Sequence, residues 1–160
     1  MIRISSLLFG LLIGALGSGV VAQDESTPPT PTSGDLLVPI ENLQNIGQGQ
    51  LLVLLFRRVD RIEPKVSWAF RTRIVAVRSR RMIVTFKNVP FGEYAVSVLH
   101  DMDRDREMDT NFFGIPDEDL GCSNNAKGGV FGGPKWDKAK FSHKRPQNKI
   151  APIEMWQCYD

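Results

Sequence analysis

One apolar run restricts the possible folds of this chain more than any other feature. The segment from Gly49 to Phe56 reads Gly-Gln-Leu-Leu-Val-Leu-Leu-Phe, so six consecutive residues are apolar. A strand with one face in water alternates apolar and polar residues, whereas a short continuous apolar run bounded by turn residues is typical of a strand buried on both faces. The sequence therefore predicts a central strand that is covered on both sides.

Further strand patterns follow at short intervals, and no segment after residue 34 has the period of a long amphipathic helix. The predicted strands cover residues 35–43, 71–77, 82–86, 93–99 and 149–158, with a turn at 88–92 and a short helical turn within 135–141. Short strands separated by turns that contain Gly and Pro predict an all-β fold, a single antiparallel β-sandwich of immunoglobulin-like type with about seven strands.

The N-terminal 34 residues differ in composition from the rest. Arg3 precedes an apolar stretch and small residues follow it up to Ala22, which is the pattern of a cleaved signal peptide over residues 1–22. Residues 23–34 contain no aliphatic side chain, and we expect a disordered tail rich in Pro and Thr. The domain is then 35–160, periplasmic or secreted, with no transmembrane anchor after cleavage; an uncleaved anchor is the alternative.

The balance of charge excludes one class of partner. Lys and Arg number 20 and Asp and Glu number 18, which gives no electrostatic basis for binding nucleic acid. Most arginines lie within 57–81 and most acidic residues within 101–119. The basic segment is either an ordinary soluble face or a surface for an anionic component of the cell envelope, a membrane, glycan or protein.

Two cysteines, Cys122 and Cys158, would remain after removal of the signal peptide. An even number of cysteines in an oxidising compartment favours a disulfide. This bond would join the loop after the acidic residues to the last predicted strand, and would contribute about 3–4 kcal/mol in the chain-entropy description. Two separate thiols are the alternative.

The segment from Asp101 to Asp109 has an acidic residue at every second position and directly follows a predicted buried strand. Folding holds these carboxylates close together, and Ca²⁺, which takes about six to eight oxygen ligands, would offset their repulsion. In the alternative, Arg104 and Arg106 fold back and pair with the carboxylates at the surface, where such pairs stabilise little. The predicted Ca²⁺ ligands are the side chains of Asp101, Asp103, Asp105 and Asp109 and the backbone carbonyl of Glu107. One acidic residue from beyond the next turn, Asp117, Glu118 or Asp119, could complete the shell, and we select Glu118.

The spacing of this acidic segment is not that of an EF-hand. Arg106 stands at the sixth position of the loop, where a sharp turn normally requires Gly, and Phe112 stands where an EF-hand has a bidentate Glu. No helix pattern flanks the segment. It is closer to the shorter acidic loops of extracellular calcium modules.

His100 suggests a different function, because a histidine beside carboxylates can serve as a general base. It would act with Asp101 or Asp103 in a small metal-assisted hydrolase, but no nucleophile motif such as Gly-x-Ser-x-Gly accompanies it. We therefore assign no catalytic residue, and prefer a non-catalytic binding or structural module. Five polar residues could line a ligand site or make turns and strand-end hydrogen bonds, namely His100, Asn111, Ser123, Asn124 and Asn125.

Several short motifs together resemble one known family. They read Pro90-Phe-Gly-Glu-Tyr-Ala-Val, His100-Asp-x-Asp-x-Asp, Met108-Asp-Thr-Asn111, Gly114-Ile-Pro-x-Glu118 and Gly121-x-Ser-Asn-Asn-Ala126. They are similar to DUF2141, a family of exported bacterial proteins without assigned function, from about residue 36 to the C-terminus. The resemblance implies a β-sandwich similar to transthyretin-like and carboxypeptidase regulatory-like domains, and no established activity. The family loop usually reads Asp-x-Asn-x-Asn-Gly-x-x-Asp, so carboxylates replace two amides here and Arg106 replaces the glycine.

Overall fold

The computed structural model of the chain describes residues 31–113, 115–128 and 132–157. The predicted signal peptide and Cys158 lie outside the described residues, as does most of the predicted tail. The first strand begins at Ser33, two residues before the predicted start of the domain. No helix in the described ranges is long and apolar enough to cross a membrane.

Nine β-strands occur in the described part of the chain and form two sheets. They are β1 (Ser33–Glu41), β2 (Gln50–Phe56), β3 (Arg71–Val75), β4 (Met82–Pro90), β5 (Gly92–Asp101), β6 (Leu120–Cys122), β7 (Phe141–His143), β8 (Gln147–Lys149) and β9 (Ile153–Glu154). Helical structure in these ranges is limited to single turns, the 3-10 turns Val66–Trp68 and Ser123–Asn125 and the α-helix α1, Trp136–Ala139. The predicted all-β fold and the short helical turn are confirmed.

The first sheet is built around β1, which pairs antiparallel with β4 and parallel with β8 and β9. The second sheet has the antiparallel order β3-β2-β5-β6, and β7 pairs with the start of β5. The sandwich is therefore mainly rather than wholly antiparallel, and it has more strands than the predicted seven or so. The prediction of one strand over residues 149–158 was wrong, because this segment contains only the end of β8 and the short β9. Pro152 lies between these strands and has no N–H to donate to a neighbouring strand.

The turn predicted at 88–92 is also shorter than expected. β4 continues to Pro90, which pairs with Ser33, and the chain reverses at Phe91 before β5 begins. Asn88 takes a left-handed conformation with φ of 50° inside β4. β4 thus continues to pair with β1 beyond Asn88 and up to Pro90, although these residue types favour a turn.

The central strand is buried on both faces, as predicted. On one face of β2, Leu51, Val53 and Leu55 belong to the same apolar cluster as the buried side chains of β1 and β4. On the other face, Leu52, Leu54 and Phe56 belong to a second cluster, covered by the segments around Ile62 and Trp136. β5 is shared between the clusters in the same way, so β2 and β5 form the rigid middle of the protein.

The end of β5 lies beside the start of β2, because the two strands are antiparallel and Asp101 pairs with Gln50. Gly49, with φ of 57°, precedes this pair, and a Cβ at this position would collide with the backbone carbonyl of Asp101. The loop between β3 and β4 meets the same end, since Gly47 N donates to Val77 O at 2.9 Å. The acidic segment therefore emerges from the best-packed strands of the fold, at the end that carries the 42–49 and 76–81 loops.

Candidate functional site

The side chain of Asp101 attaches the acidic loop, residues 101–109, to the sandwich. Asp101 is the last residue of β5 and is fully buried, at 0% exposure. Its carboxylate accepts three hydrogen bonds, from Gln50 Nε2 at 2.7 Å and from the backbone N–H groups of Arg104 at 2.7 Å and Arg106 at 3.1 Å. Three donors offset much of the cost of burying a charge. The first carboxylate of the loop is thus fixed by the sheet.

Glu118 fixes the loop from the other side. Its side chain is only 4% exposed, and Oε1 accepts a hydrogen bond from the Met102 N–H at 2.8 Å while Oε2 accepts one from the Asp109 N–H at 3.3 Å. One carboxylate therefore binds the backbone near both ends of the acidic loop. Sequence reasoning proposed Glu118 only as one of three acidic residues that could close the site.

A short hairpin, described over residues 109–113 and 115–117, connects the acidic loop to Glu118. Asp117 N donates to Asp109 O at 2.9 Å and Asn111 N donates to Ile115 O at 2.8 Å. The side chain of Asn111, one of the predicted ligand residues, accepts the N–H groups of Phe113 at 3.0 Å and Ile115 at 3.1 Å. Its oxygen therefore organises the turn of the hairpin.

The exposed part of the acidic loop is wound by bonds between side chains and nearby backbone. Asp103 Oδ1 accepts the Asp105 N–H at 3.1 Å, and Asp105 Oδ1 accepts the Glu107 N–H at 2.7 Å. Asp side chains favour such local turns. The acidic side chains at alternate positions of the loop consequently converge.

Two overlapping groups of carboxylates result. Within each group, one oxygen from each of three residues lies within 4.8 Å of the others, and the groups are Asp101–Asp103–Asp105 and Asp103–Asp109–Glu118. Asp103 belongs to both. The five acidic side chains predicted as ligands thus lie in these two groups. The groups contain side-chain oxygens only, so the predicted backbone carbonyl ligand of Glu107 stays a prediction.

The carboxylates repel one another in this arrangement. Removal from water raises the pKa of Asp109, and the charges of Asp103 and Asp105 raise it further. Burial likewise raises the pKa of Glu118, although its two backbone donors act in the opposite direction.

The arginines inside the loop do not neutralise these charges. Among the described residues, Arg104 and Arg106 form no ion pair with any carboxylate. Their backbones are instead left-handed, with φ of 71° and 70°. Arg106 thus adopts the conformation for which its position normally carries glycine, at a steric cost of about 1–2 kcal/mol for a residue with a Cβ.

His100 is too deeply buried to act as a general base in this conformation. Its side chain is 1% exposed, and Nε2 lies 3.1 Å from the Gln48 carbonyl oxygen. Nδ1 lies 4.0 Å from Asp119 Oδ2, and neither Nδ1 nor Asp119 Oδ1 has a hydrogen-bond partner within the described ranges. The neighbouring Asp101 carboxylate is engaged by the three donors described above. A substrate has no direct path to this histidine.

The polar residues Ser123, Asn124 and Asn125, which follow β6, form hydrogen bonds with other parts of the fold. Ser123 is buried, and its hydroxyl donates to Ala139 O at 2.6 Å and accepts the Val96 N–H at 2.9 Å. Asn124 donates to Lys140 O at 2.9 Å, and Asn125 accepts the Glu154 N–H at 2.9 Å. Both asparagines have positive φ. These side chains connect turns to strands and α1.

Cys122 is buried in the second apolar cluster. Burial raises the pKa of its thiol to about 12, so the thiol is an unreactive apolar group in this environment. Its predicted partner, Cys158, lies outside the described residues. The disulfide therefore stays a prediction.

Sequence reasoning missed Gln50 as a determinant of the loop. It is 51 positions away from Asp101 along the chain, and only the strand register brings its amide to the carboxylate. A glutamine at the boundary of an apolar run carries no local signal for this role. Antiparallel pairing of the predicted strands 49–56 and 93–99 would have revealed this role, because it places the start of the first strand beside the end of the second.

The profile of one bacterial family, described as an uncharacterised protein conserved in bacteria (DUF2141), matches residues 38–151. The matched range contains β2 to β8 and the whole acidic loop. No curated protein and no solved structure matches the chain.

The left-handed conformation of Arg106 can be tested by comparing two substitutions. Arg106→Gly and Arg106→Ala remove the same charge, but only glycine relieves the steric conflict of the Cβ at φ of 70°. We expect the Gly variant to be more stable than the Ala variant by about 1 kcal/mol, measured by urea unfolding. Equal stability, or a more stable Ala variant as in an ordinary loop, would contradict this geometry.

Desolvation of Asp109 and Glu118, together with repulsion from neighbouring carboxylates, predicts a pH dependence of stability in EDTA. Because the pKa values of Asp109 and Glu118 are raised, the folded chain binds protons more tightly than the unfolded chain. Their contribution to stability is therefore fully present below the ordinary values of 3.8 and 4.5, and is lost as pH rises through the folded values. Asp109→Asn should gain melting temperature relative to wild type as pH rises through this window.

Asp60→Asn is the matched control for this experiment, since Asp60 is exposed and lies outside the acidic loop. Its difference from wild type should not change with pH in the same window. A constant difference for Asp109→Asn would show that the loop carboxylates do not repel one another.

Proposed function

This chain belongs to the DUF2141 family, and from this premise we propose that it is an exported, non-catalytic β-sandwich module whose acidic loop binds one Ca²⁺. The family carries no assigned activity, so the proposal rests on the acidic loop. Its main support is the convergence of five carboxylates, from two separate segments, around Asp103.

The ligand chemistry favours Ca²⁺ over other common ions. Every candidate ligand is an oxygen, which suits hard cations and not the nitrogen and sulfur sites of zinc. Five carboxylates and a carbonyl can supply the large, irregular shell that Ca²⁺ accepts, whereas Mg²⁺ requires near-octahedral geometry and keeps several waters. Since the two groups share Asp103, we propose a single ion.

The hydrogen bonds at Asp101 and Glu118 are compatible with this role. A carboxylate has about four lone-pair sites, and those of Asp101 and Glu118 that are not used by N–H groups can still point to a cation. Donors that hold the oxygens in place before binding also lower the entropy lost on coordination. We propose that these two buried residues position the site and that exposed Asp103, Asp105 and Asp109 complete it.

Export is part of the proposal and is supported by the pattern of residues 1–22. Outside the cytoplasm, modules with Ca²⁺ affinities in the range of about 10⁻⁴–10⁻³ M are common, so a loop with imperfect geometry would still be useful there. A disulfide between Cys122 and Cys158 belongs to the same proposal, because it requires an oxidising compartment.

The hydrolase alternative has less support. It requires His100 to reach a substrate, and that side chain is 1% exposed and engaged by the Gln48 carbonyl oxygen. No side chain positioned as a nucleophile contacts His100 in the described part of the chain. We therefore propose binding rather than catalysis.

Thermal melts with Ca²⁺ and with EDTA test the proposed site. A ligand present at about one hundred times its dissociation constant stabilises the folded state by about 2.7 kcal/mol. For a dissociation constant of about 10⁻⁴ M this requires about 10 mM Ca²⁺, which should raise the melting temperature by several degrees. Asp103→Asn should remove this shift, since it removes the charge common to both groups while its amide oxygen can still accept the Asp105 N–H.

Asp60→Asn again serves as the control and should keep the full Ca²⁺ shift. Equal melting temperatures in Ca²⁺ and EDTA, or a shift that survives in Asp103→Asn, would refute the site. Isothermal titration should give one Ca²⁺ per chain, and a stoichiometry of two would contradict the shared role of Asp103.

A further inference from the structure

The hairpin that follows the acidic loop carries the most exposed large apolar side chains of the described residues. Phe112 is 97% exposed and Phe113 is 83% exposed, and Ile115 across the turn is 42% exposed. The two phenyl rings contact each other edge to face, with centroids 5.6 Å apart. An apolar cluster of this kind at a protruding turn costs solubility and indicates a surface that is buried in some other state.

The hairpin holds these rings outward with its own hydrogen bonds. The Asn111 side chain accepts the Phe113 and Ile115 N–H groups, and Asn111 N donates to Ile115 O. Backbone groups at the turn are therefore partly satisfied internally, which lowers the cost of moving the turn from water into a less polar medium. Rings that are almost fully exposed at a turn suit a soft surface that they can penetrate.

Charges at the same end of the sandwich favour a phospholipid surface. The loop between β3 and β4 exposes Arg78, Arg80 and Arg81 there, and only Arg81 has a carboxylate partner in the described ranges, Glu41 at 3.7 Å. Exposed arginines attract anionic headgroups. The acidic loop at the base of the hairpin would repel the same headgroups unless a cation neutralises it.

We propose that the hairpin turn with Phe112, Phe113 and Ile115 inserts into an anionic phospholipid bilayer when the acidic loop holds Ca²⁺. The aromatic side chains occupy the boundary between headgroups and acyl chains, as amphipathic interfacial segments do. The arginines of the 76–81 loop bind lipid phosphate. The ion lowers the negative charge at the base of the hairpin and so weakens the repulsion, and in this respect the inference rests on the proposed function.

The decisive experiment places a fluorescent reporter in the turn. Phe112→Trp is compared with wild type and with Phe70→Trp, a control at an exposed aromatic residue that lies beside Leu55, at the opposite end of β2 from the acidic loop. The protein is mixed with vesicles of phosphatidylcholine and phosphatidylglycerol whose acyl chains carry bromine, which quenches nearby tryptophan. Trp68, Trp136 and Trp156 contribute the same background to all variants, and so does any vesicle binding through residues 1–22.

We expect additional quenching in Phe112→Trp with Ca²⁺, little in EDTA, and none beyond wild type in Phe70→Trp. In vesicle sedimentation with Ca²⁺, Phe112→Ser/Phe113→Ser should lower the partition coefficient of the Ca²⁺-dependent component at least about tenfold, since each ring loses its burial in lipid. Arg78→Glu/Arg80→Glu should lower binding to these vesicles and leave binding to pure phosphatidylcholine unchanged.

The failures of the two proposals are distinguishable. A Ca²⁺-dependent melting shift without additional quenching overturns the lipid surface and leaves the Ca²⁺ site intact. Quenching that is equal in EDTA and Ca²⁺ overturns control by the ion. If Phe112→Ser/Phe113→Ser instead converts a dimer to a monomer in size-exclusion chromatography without changing vesicle binding, the turn is a contact between two copies of the chain and the lipid assignment is wrong.

Discussion

The buried carboxylate of Asp101 is the interaction on which the functional end of this protein depends. It ends the strand that pairs with β2, β6 and β7, and its three hydrogen bonds connect that strand to β2 and to the turn of the acidic loop. A charge can be this deeply buried only because the donors are supplied by the sheet and by the loop. Removing the carboxylate would leave those donors unpaired and release the loop.

The same arrangement creates an electrostatic problem that protein groups do not solve. Asp101 accepts three hydrogen bonds from backbone and amide donors and Glu118 accepts two, whereas Asp103 and Asp105 each accept one from a backbone N–H. Asp103, Asp105 and Asp109 are added around them without a basic partner, although two arginines lie between them in sequence. A surface ion pair would stabilise little in any case, which is why we propose a divalent ion shared by the two groups of carboxylates.

Much of the fold could be predicted from local sequence patterns. The double burial of β2 followed from its unbroken apolar run, and Tyr94, Val96 and Val98 of β5 share a face as their alternation predicts. The parallel pairing of β8 and β9 with β1 could not be predicted, because the partners are about a hundred residues apart and the ladders contain two or three residue pairs. Short ladders with distant partners leave no periodic signal.

The candidate site was predictable to a similar extent. Alternating acids after a buried strand indicated converging carboxylates, and the position of Glu118 beyond a turn made it a candidate for closing the group. The role of Gln50 depended on strand register. The left-handed conformation of Arg106 contradicted the preference of its residue type, and only the hydrogen bond from its N–H to Asp101 explains why the chain accepts it.

We propose that Asp101 and Glu118 preposition a loop that a divalent cation completes. Amide hydrogen exchange of the acidic loop and of β2, in Ca²⁺ and in EDTA, tests this most directly. Amide exchange over residues 102–109 should slow markedly in Ca²⁺, while exchange over residues 50–56 should be the same in both conditions. Identical exchange of the acidic loop with and without Ca²⁺ would contradict it.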